Sequence, residues 1–567
     1  MTEQTTSSSP IWVAHYPDAI KWDADIPVYP VHDMLEQTVR DYGHRPAFDF
    51  LGKKWKWAEI GDLVQRFAEG LQTMGLKKGQ KVGLFLPNCP YFLIAYYGIL
   101  KAGGTVVNYN PLYARRELEH QIEDSETDFM VTADLCLMTD KMDAMLDKTR
   151  LRKVILCSFT DILPFPKNIL FRLFRGGELQ KGLVRKEYMP FRDLLKNKGQ
   201  PKAVEIAPLT DVAVIQYTGG TTGTPKGAML SHANVTANVE QSSMWFYKTE
   251  RGQERMLGVL PFFHVFAMTT VMNKSVRSGL EIIALPRFDL DQTLKLIDKK
   301  KPHYFPAVPV IYSAINNHPK LSNYDLTSLR YCISGGAPLP VEVKKEFEDT
   351  TGCTVVEGYG LSESSPVVCA NPIEGENKAG SIGMPLPGTM VEIVDREDHE
   401  TPKPRGERGE LCVRGPQVML AYKNRPKETE ETLRDGGWLH TGDVAYIDED
   451  GYVFIVDRIK DLIITNGYNV YPRQVEDAIY LHTEVEECIV AGLPDKARGE
   501  IVKAWIKLKD GKSMTASDMK AFLADHLSKI EIPRQIEFRT EPLPKTMIGK
   551  LSRKDIVEEE LGKKSGD

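Results

Sequence analysis

Between about residues 47 and 157, short apolar runs of strand character alternate with helix-like runs, and this alternation confines the chain to a small set of folds. The strand-like segments 81–86 (KVGLFL), 104–108 (GTVVN) and 128–132 are separated by the helix-like 91–101 and 115–122. Strand, helix and strand in close succession read as βαβ units around a largely parallel sheet. A second such stretch starts with the strand 212–216 and continues through 282–285 and 329–334, so the two read as paired lobes of one large domain. After Gly380 the texture changes to short strands and turns, at 391–395, 409–414 and 451–456, which suggests a small β-rich subdomain. Beyond 458–461 comes a helix (470–480), two strands (487–492 and 502–508) and a helix (517–527). With 567 residues, more than one core is needed. The expected fold is α/β: a large N-terminal domain of two βαβ lobes plus the β-rich subdomain (1–459), then a small mobile α+β C-terminal domain (460–567).

Charge and cysteine usage narrow the function. Lys plus Arg number 72 against 78 for Asp plus Glu, a net charge of -6, so no global basic field exists to hold nucleic acid. The eight cysteines are scattered, without a CxxC pair or the clustering of a zinc site, which fits a reduced, cytoplasmic setting. The opening MTEQTTSSSP lacks the apolar core of a signal peptide, and no apolar run reaches the ~20 residues that span a bilayer. One segment, 162–185 (ILPFPKNILFRLFRGGELQKGLVR), mixes bulky apolar residues with five basic ones and one acid. It reads either as a surface excursion packed on its own protein or as a piece lying on an anionic membrane, making the protein peripheral on the inner face. Nothing in the sequence fixes an oligomeric state.

The chemistry starts at residues 217–227, YTGGTTGTPKG, which follow the strand 212–216 and precede an apparent helix at 234–241. Glycines let the backbone turn its N–H groups inward, the threonines add hydroxyl donors and Lys226 adds a cation, so the loop fits a polyphosphate. A Walker A loop needs Gly-Lys-Ser/Thr in sequence; here Lys226 follows Pro225 and precedes Gly227, which disfavours a kinase-like or GTPase-like loop.

With this loop, and with the later motifs in the same order, the chain resembles the adenylate-forming (AMP-binding) superfamily of acyl-CoA synthetases, firefly-type luciferases and peptide-synthetase adenylation domains. The resemblance runs from about residue 29 to 554. It implies that Thr218, Gly219, Gly220, Thr221, Thr222, Gly223 and Lys226 close over the β- and γ-phosphates of ATP. In Gly358-Tyr359-Gly360-Leu361-Ser362-Glu363, it implies that Glu363 is a hard oxygen ligand for Mg²⁺, which relieves the repulsion between a carboxylate and the α-phosphate it attacks. Ser362 stands where the family commonly has Thr and keeps the hydroxyl, Gly360 belongs to the same turn, and Tyr359 stacks on adenine. Gly335, Gly336 and Ala337 form a wall of the nucleotide pocket.

In Trp438-Leu439-His440-Thr441-Gly442-Asp443, the resemblance makes Asp443 the acceptor for the ribose hydroxyls, with Arg458 as second contact and Lys460 as hinge. The run 437–463 is similar to the signature of the fatty acyl-CoA synthetase branch. Near the C-terminus, Pro544-Lys545-Thr546-Met547-Ile548-Gly549-Lys550 places Lys550 where the family bridges the carboxylate and the α-phosphate. Gly467, Tyr468 and Asn469 resemble the loop that lines the pantetheine route. His264, in Leu260-Pro261-Phe262-Phe263-His264-Val265-Phe266, matches a gate beside the acyl carboxylate and the CoA thiol; Met268 replaces the Trp that closes the acyl tunnel in some thermophilic members.

The implied enzyme is an AMP-forming acid–thiol ligase that takes a medium- or long-chain fatty acid, ATP and CoA. Alternatives with the same chemistry are a dicarboxylate-CoA or aryl-CoA ligase and a luciferase; a peptide-synthetase module is disfavoured because the chain ends soon after Lys550. A non-catalytic acyl or nucleotide-binding scaffold is a reading of another class, against which Lys226, Glu363, Asp443, Arg458 and Lys550 stand together.

Overall fold

A computed structural model describes residues 10–182, 185–218, 225–466, 468–495, 498–546 and 550–564. Two large sheets carry the N-terminal part. The eight-stranded one runs Ala421–Tyr422, Gly227–Ser231, Val212–Tyr217, Thr105–Asn108, Lys81–Phe85, Thr127–Ala133, Lys153–Cys157, Tyr188–Pro190. From Val212–Tyr217 onward all neighbours are parallel. Thr105–Asn108 and Thr127–Ala133 are buried at every residue, as in a parallel sheet covered on both faces. The nine-stranded sheet runs Met384–Pro385, Val367–Ala370, Thr354–Gly360, Tyr331–Ser334, Tyr304–Ala307, Arg255–Gly258, Glu281–Ala284, Pro46–Phe50, Lys53–Lys56, with a parallel centre.

The two sheets exchange strands relative to the order of the sequence. Pro46–Phe50, which precedes every strand of the first sheet, pairs in parallel with Glu281–Ala284 of the second, Phe48 opposite Ile282. Val212–Tyr217, expected to open the second lobe, belongs to the first sheet beside Thr105–Asn108.

The segment after the glycine-rich loop also differs from expectation. Residues 227–231 form a strand antiparallel to Val212–Tyr217, so the loop closes a hairpin, and the helix His232–Trp245 follows only then. Ser231 starts that helix: its Oγ accepts the Asn234 N–H at 3.0 Å while Asn234 Oδ1 accepts the Ser231 N–H at 2.9 Å.

A third, antiparallel sheet of Met390–Val394, Gly409–Arg414, Trp438–Ile447, Leu433–Arg434 and Val453–Arg458 is the β-rich subdomain. A separate apolar cluster begins at Ile463 and includes Val475, Ile479, Val490, Val502 and Leu523. It fills one face of the long pair Val485–Asp495 and Gly499–Leu508; Ile489, Leu493, Trp505 and Ile556 fill the other, following the two-residue alternation of a strand. The helix placed at 470–480 begins at Pro472, because 468–470 pair as a strand with Ile463–Thr465 and Pro fits the first helical turn. Among the described residues no helix is long and apolar enough to cross a membrane.

Candidate active site

Parallel strands leave their carboxyl ends at one edge of the sheet, and loops beyond those ends are where ligands sit in such folds. Gly335, Gly336 and Ala337 follow Tyr331–Ser334 in this way, and Ser362 and Glu363 follow Thr354–Gly360. These residues line one cavity of about 2100 Å³ that also reaches the β-rich subdomain and the C-terminal unit. Gly360 must be glycine: a Cβ there would lie 1.9 Å from the Pro366 carbonyl oxygen. Gly336 holds a φ of 79° that side chains rarely adopt.

Thr218 and Lys226 reach the cavity from the two arms of the hairpin, joined by the Thr218 N–H donating to the Lys226 carbonyl at 2.9 Å. Gly219, Gly220, Thr221, Thr222 and Gly223 lie outside the described residues, as does Gly467. The Lys226 ammonium stands 5.0 Å over the Tyr422 ring, and the Tyr422 hydroxyl donates to Glu363 Oε1 at 2.5 Å. Tyr422 therefore links Lys226 to Glu363 across the cavity. It was not legible from the sequence, where Ala421–Tyr422 carries no motif; the strand reaches the site by pairing with Gly227–Ser231.

Asp443 is buried, with its side chain 3% exposed. Arg458 Nε meets Asp443 Oδ1 at 3.0 Å, the Tyr359 hydroxyl donates to Asp443 Oδ2, and the Asp443 N–H is held by Thr441 Oγ1 at 3.1 Å. Asp443 and Arg458 face each other across adjacent antiparallel strands. The carboxylate oxygens each keep a further lone pair for other donors. The turn before Asp443 is fixed by Glu410, whose Oε1 accepts the Gly442 N–H at 3.0 Å and whose Oε2 meets His399 Nδ1 at 2.7 Å and His440 Nδ1 at 3.1 Å. Those three side chains are also a set that could hold a metal ion, missed in the sequence because they are far apart in it.

Lys550 lines the same cavity from the C-terminal unit, together with Lys460. Burial pulls the Lys550 ammonium down to about 8, with Arg458 pushing the same way and Asp443 opposing. Burial and Arg458 also lower Lys460. His264 is brought down to about 4 by burial and by Lys550, so its imidazole is neutral at pH 7. Its Nδ1 accepts the Phe266 N–H at 3.3 Å, which leaves Nε2 as the proton-bearing nitrogen. Tyr468 and Asn469 are not brought to the cavity: they lie exposed on the strand Tyr468–Val470, at the outer edge of the C-terminal sheet.

Arg553, three residues after Lys550, was also missed. Its guanidinium meets Glu476 at 2.6 Å, Asp461 at 3.1 Å and Asp457 at 3.5 Å, and its Nε donates to the Val490 carbonyl at 3.1 Å. Asp457 belongs to the β-rich subdomain and immediately precedes Arg458. One cation thus ties the helix Arg553–Lys564 to both sides of Lys460.

Residues 35–423 match the family model described as AMP-binding enzyme, and residues 474–550 match the AMP-binding enzyme C-terminal domain. A long-chain-fatty-acid–CoA ligase of Bacillus subtilis (strain 168) is 45% identical over 552 residues, 97% of this chain and 98% of that one. A long-chain-fatty-acid–CoA ligase of Escherichia coli O6:H1 is 38% identical over 564 residues, covering 98% and 99%. Among solved structures, ATP-bound MatB from Rhodopseudomonas palustris aligns with a TM-score of 0.82 at 28% identity, covering 93% of this chain and 98% of that one.

Proposed function

The chain belongs to the AMP-binding enzyme family, and from that premise we propose that it is an ATP-dependent acyl-CoA synthetase acting on medium- or long-chain fatty acids. The observation that carries this is the meeting of Lys550 with Asp443, Arg458, Glu363 and Lys226 around one cavity. Carboxylate and ATP give acyl-AMP and pyrophosphate; the CoA thiol then attacks the acyl carbonyl and AMP leaves. Lys226 and the loop before it hold the β- and γ-phosphates, and Asp443 and Arg458 hold the ribose. Lys550 offsets the negative charge that builds between carboxylate and α-phosphate. Neutral His264 donates from Nε2 to the acyl carboxylate and orients it.

The residues present fit Mg²⁺. Glu363 is a carboxylate at the cavity wall, oriented by Tyr422, and phosphate oxygens with water would complete the oxygen shell such a hard cation takes. Bound there, the cation neutralises phosphate charge. For the second half-reaction, the C-terminal unit, residues 460–567, turns about Lys460, withdrawing Lys550 and presenting 467–469 to the thiol.

The test is pyrophosphate release with and without CoA across fatty, dicarboxylic and aromatic acids. Release that requires a medium- or long-chain aliphatic acid, with stoichiometric thioester when CoA is present, is the expected result. No release with any acid would overturn the proposal.

The helix Lys167–Phe174 supports peripheral contact with an anionic membrane on the cytoplasmic face. Phe165, Leu173 and Phe174 are 80, 72 and 81% exposed, and Ile169 and Leu170 are exposed beside them. Lys167, Arg172 and Arg175 are interspersed with these apolar residues along the segment, and Lys181 lies further on. Asp161 and Glu178 offset part of that charge. Vesicles rich in phosphatidylglycerol should float the protein, and F165S/L173S/F174S should weaken the partition by at least about tenfold. Unchanged flotation of that variant would remove the membrane role.

A further inference from the structure

The cavity holds a polar device that the adenylation chemistry does not use. After the π-helical turn Met268–Asn273, Lys274 opens the last helical segment, Lys274–Ser278. Such turns re-aim the residues that follow them and recur at functional sites. Lys274 is 1% exposed, and its Nζ has no hydrogen-bond partner. It sits 3.5 Å from the Phe246 ring centre and 5.0 Å from that of Tyr304. Glu254 attracts it only from a distance and is itself paired with Arg330 at 2.8 Å.

Burial drives the Lys274 amine well below its ordinary value. An amine buried without a hydrogen-bond partner is costly to keep, and a hydrophobic side chain would fill the same space without that cost. Lys274 nevertheless lines the same cavity as Glu363 and Lys550. So does Ser242, on the helix His232–Trp245, whose Oγ is likewise buried and unpartnered. Phe246, over which Lys274 sits, lines the cavity too, as do the apolar Trp245, Val308 and Val310. Two buried polar atoms in a cavity wall, neither with a hydrogen-bond partner, are the arrangement expected where a ligand brings the missing acceptor.

We propose that Lys274 and Ser242 form a polar end to the acyl pocket, selecting acyl chains that carry an oxygen function (hydroxyl, oxo or carboxylate) at the end distant from the reacting carboxyl. This rests on the acyl-CoA synthetase reading and specifies its substrate class. A pocket built to hydrogen-bond a substrate oxygen discriminates strongly against the analogue lacking it, because its own polar groups are then left unpaired. The wild type thus favours oxygenated acids over plain ones of the same length.

The experiment compares kcat/KM for pyrophosphate release with a plain fatty acid, its ω-hydroxy acid and its α,ω-diacid, over lengths from octanoic to hexadecanoic. At the favoured length the oxygenated acids should lead, and K274M should lower their lead by at least about tenfold, the cost of leaving a buried polar group without its hydrogen-bond partner. Met preserves the side-chain volume, and the ratio between two substrates within one variant does not depend on the folded fraction. K274Q should restore the hydroxy acid more than the diacid. Calorimetric titration of the same acids reads the selectivity without turnover, so loss of catalysis is told apart from loss of selection. A ratio unchanged in K274M, by turnover and by binding, overturns the inference while leaving the ligase reading intact. Absence of pyrophosphate release with every acid overturns the ligase reading instead, and the titration still decides the role of Lys274.

Discussion

Lys550→Ala should lower acid-dependent pyrophosphate release by about 10²–10³, the loss seen when one preorganised charge-stabilising donor is removed from a transition state. Thioester formation from supplied acyl-AMP should fall by less than about tenfold, because the proposed second half-reaction proceeds with Lys550 withdrawn. Equal loss in both assays would refute this division of labour. The pH dependence gives an independent sign. With the ammonium at about 8 in the free enzyme, the cation is present below that pH and lost above it. The kcat/KM for ATP should therefore decline above about pH 8, and that limb should vanish in Lys550→Ala. Bound triphosphate holds the proton more tightly, so the corresponding limb of kcat should lie at higher pH.

Arg553→Met should act on the same half-reaction without touching the reactants. It removes the cation shared by Glu476, Asp457 and Asp461, whose side chains are 15, 2 and 23% exposed. Leaving buried carboxylates without their partner costs about 3–5 kcal/mol. The carboxyls of Asp457 and Glu476 are already raised by burial, with Arg553 opposing that rise. A raised carboxyl contributes stability below its unfolded value and loses it as pH rises through the folded one, so the variant's loss of stability relative to the parent should be larger at neutral pH than near pH 4. Calorimetric melting should show the loss, and pyrophosphate release should drop by more than thioester formation because Lys550 is no longer held beside Asp443. Arg553→Lys, which keeps charge but not the planar fork, should fall between. Pyrophosphate release unchanged in Arg553→Met would show that this network does not position Lys550.

Elements whose periodicity is local were legible in the sequence: the alternating strands and helices of the first hundred residues after Ala47 and the antiparallel strands after Gly380 appear within a few residues of expectation. What escaped reading depends on partners distant in the chain. The strand Gly227–Ser231 is too short and too mixed to announce itself; only its pairing with Val212–Tyr217 and Ala421–Tyr422 defines it. The site shows the same split. Lys226, Glu363, Asp443 and Lys550 sit in compact motifs, and the fold gathers them around one cavity. Tyr422, Glu410, Arg553 and Lys274 belong to no such motif, and their surroundings come from four different parts of the chain. Lys274 in particular stands in no motif, and only its burial makes it a candidate recognition group.

The exchanged strands bear on how the polypeptide can be made and divided. As synthesis proceeds from the N-terminus, Pro46–Phe50 emerges long before its neighbour Glu281–Ala284, and its backbone donors and acceptors on that side are left to water in the interval. The first sheet can gain Thr105–Asn108 to Tyr188–Pro190 early, yet its other flank waits for Val212–Tyr217, Gly227–Ser231 and finally Ala421–Tyr422. A cut between the apparent lobes would leave each half with an unpaired edge open to other chains. The long-range pairings bind the two lobes into a single folding unit, so neither offers a natural place to shorten, split or graft this protein.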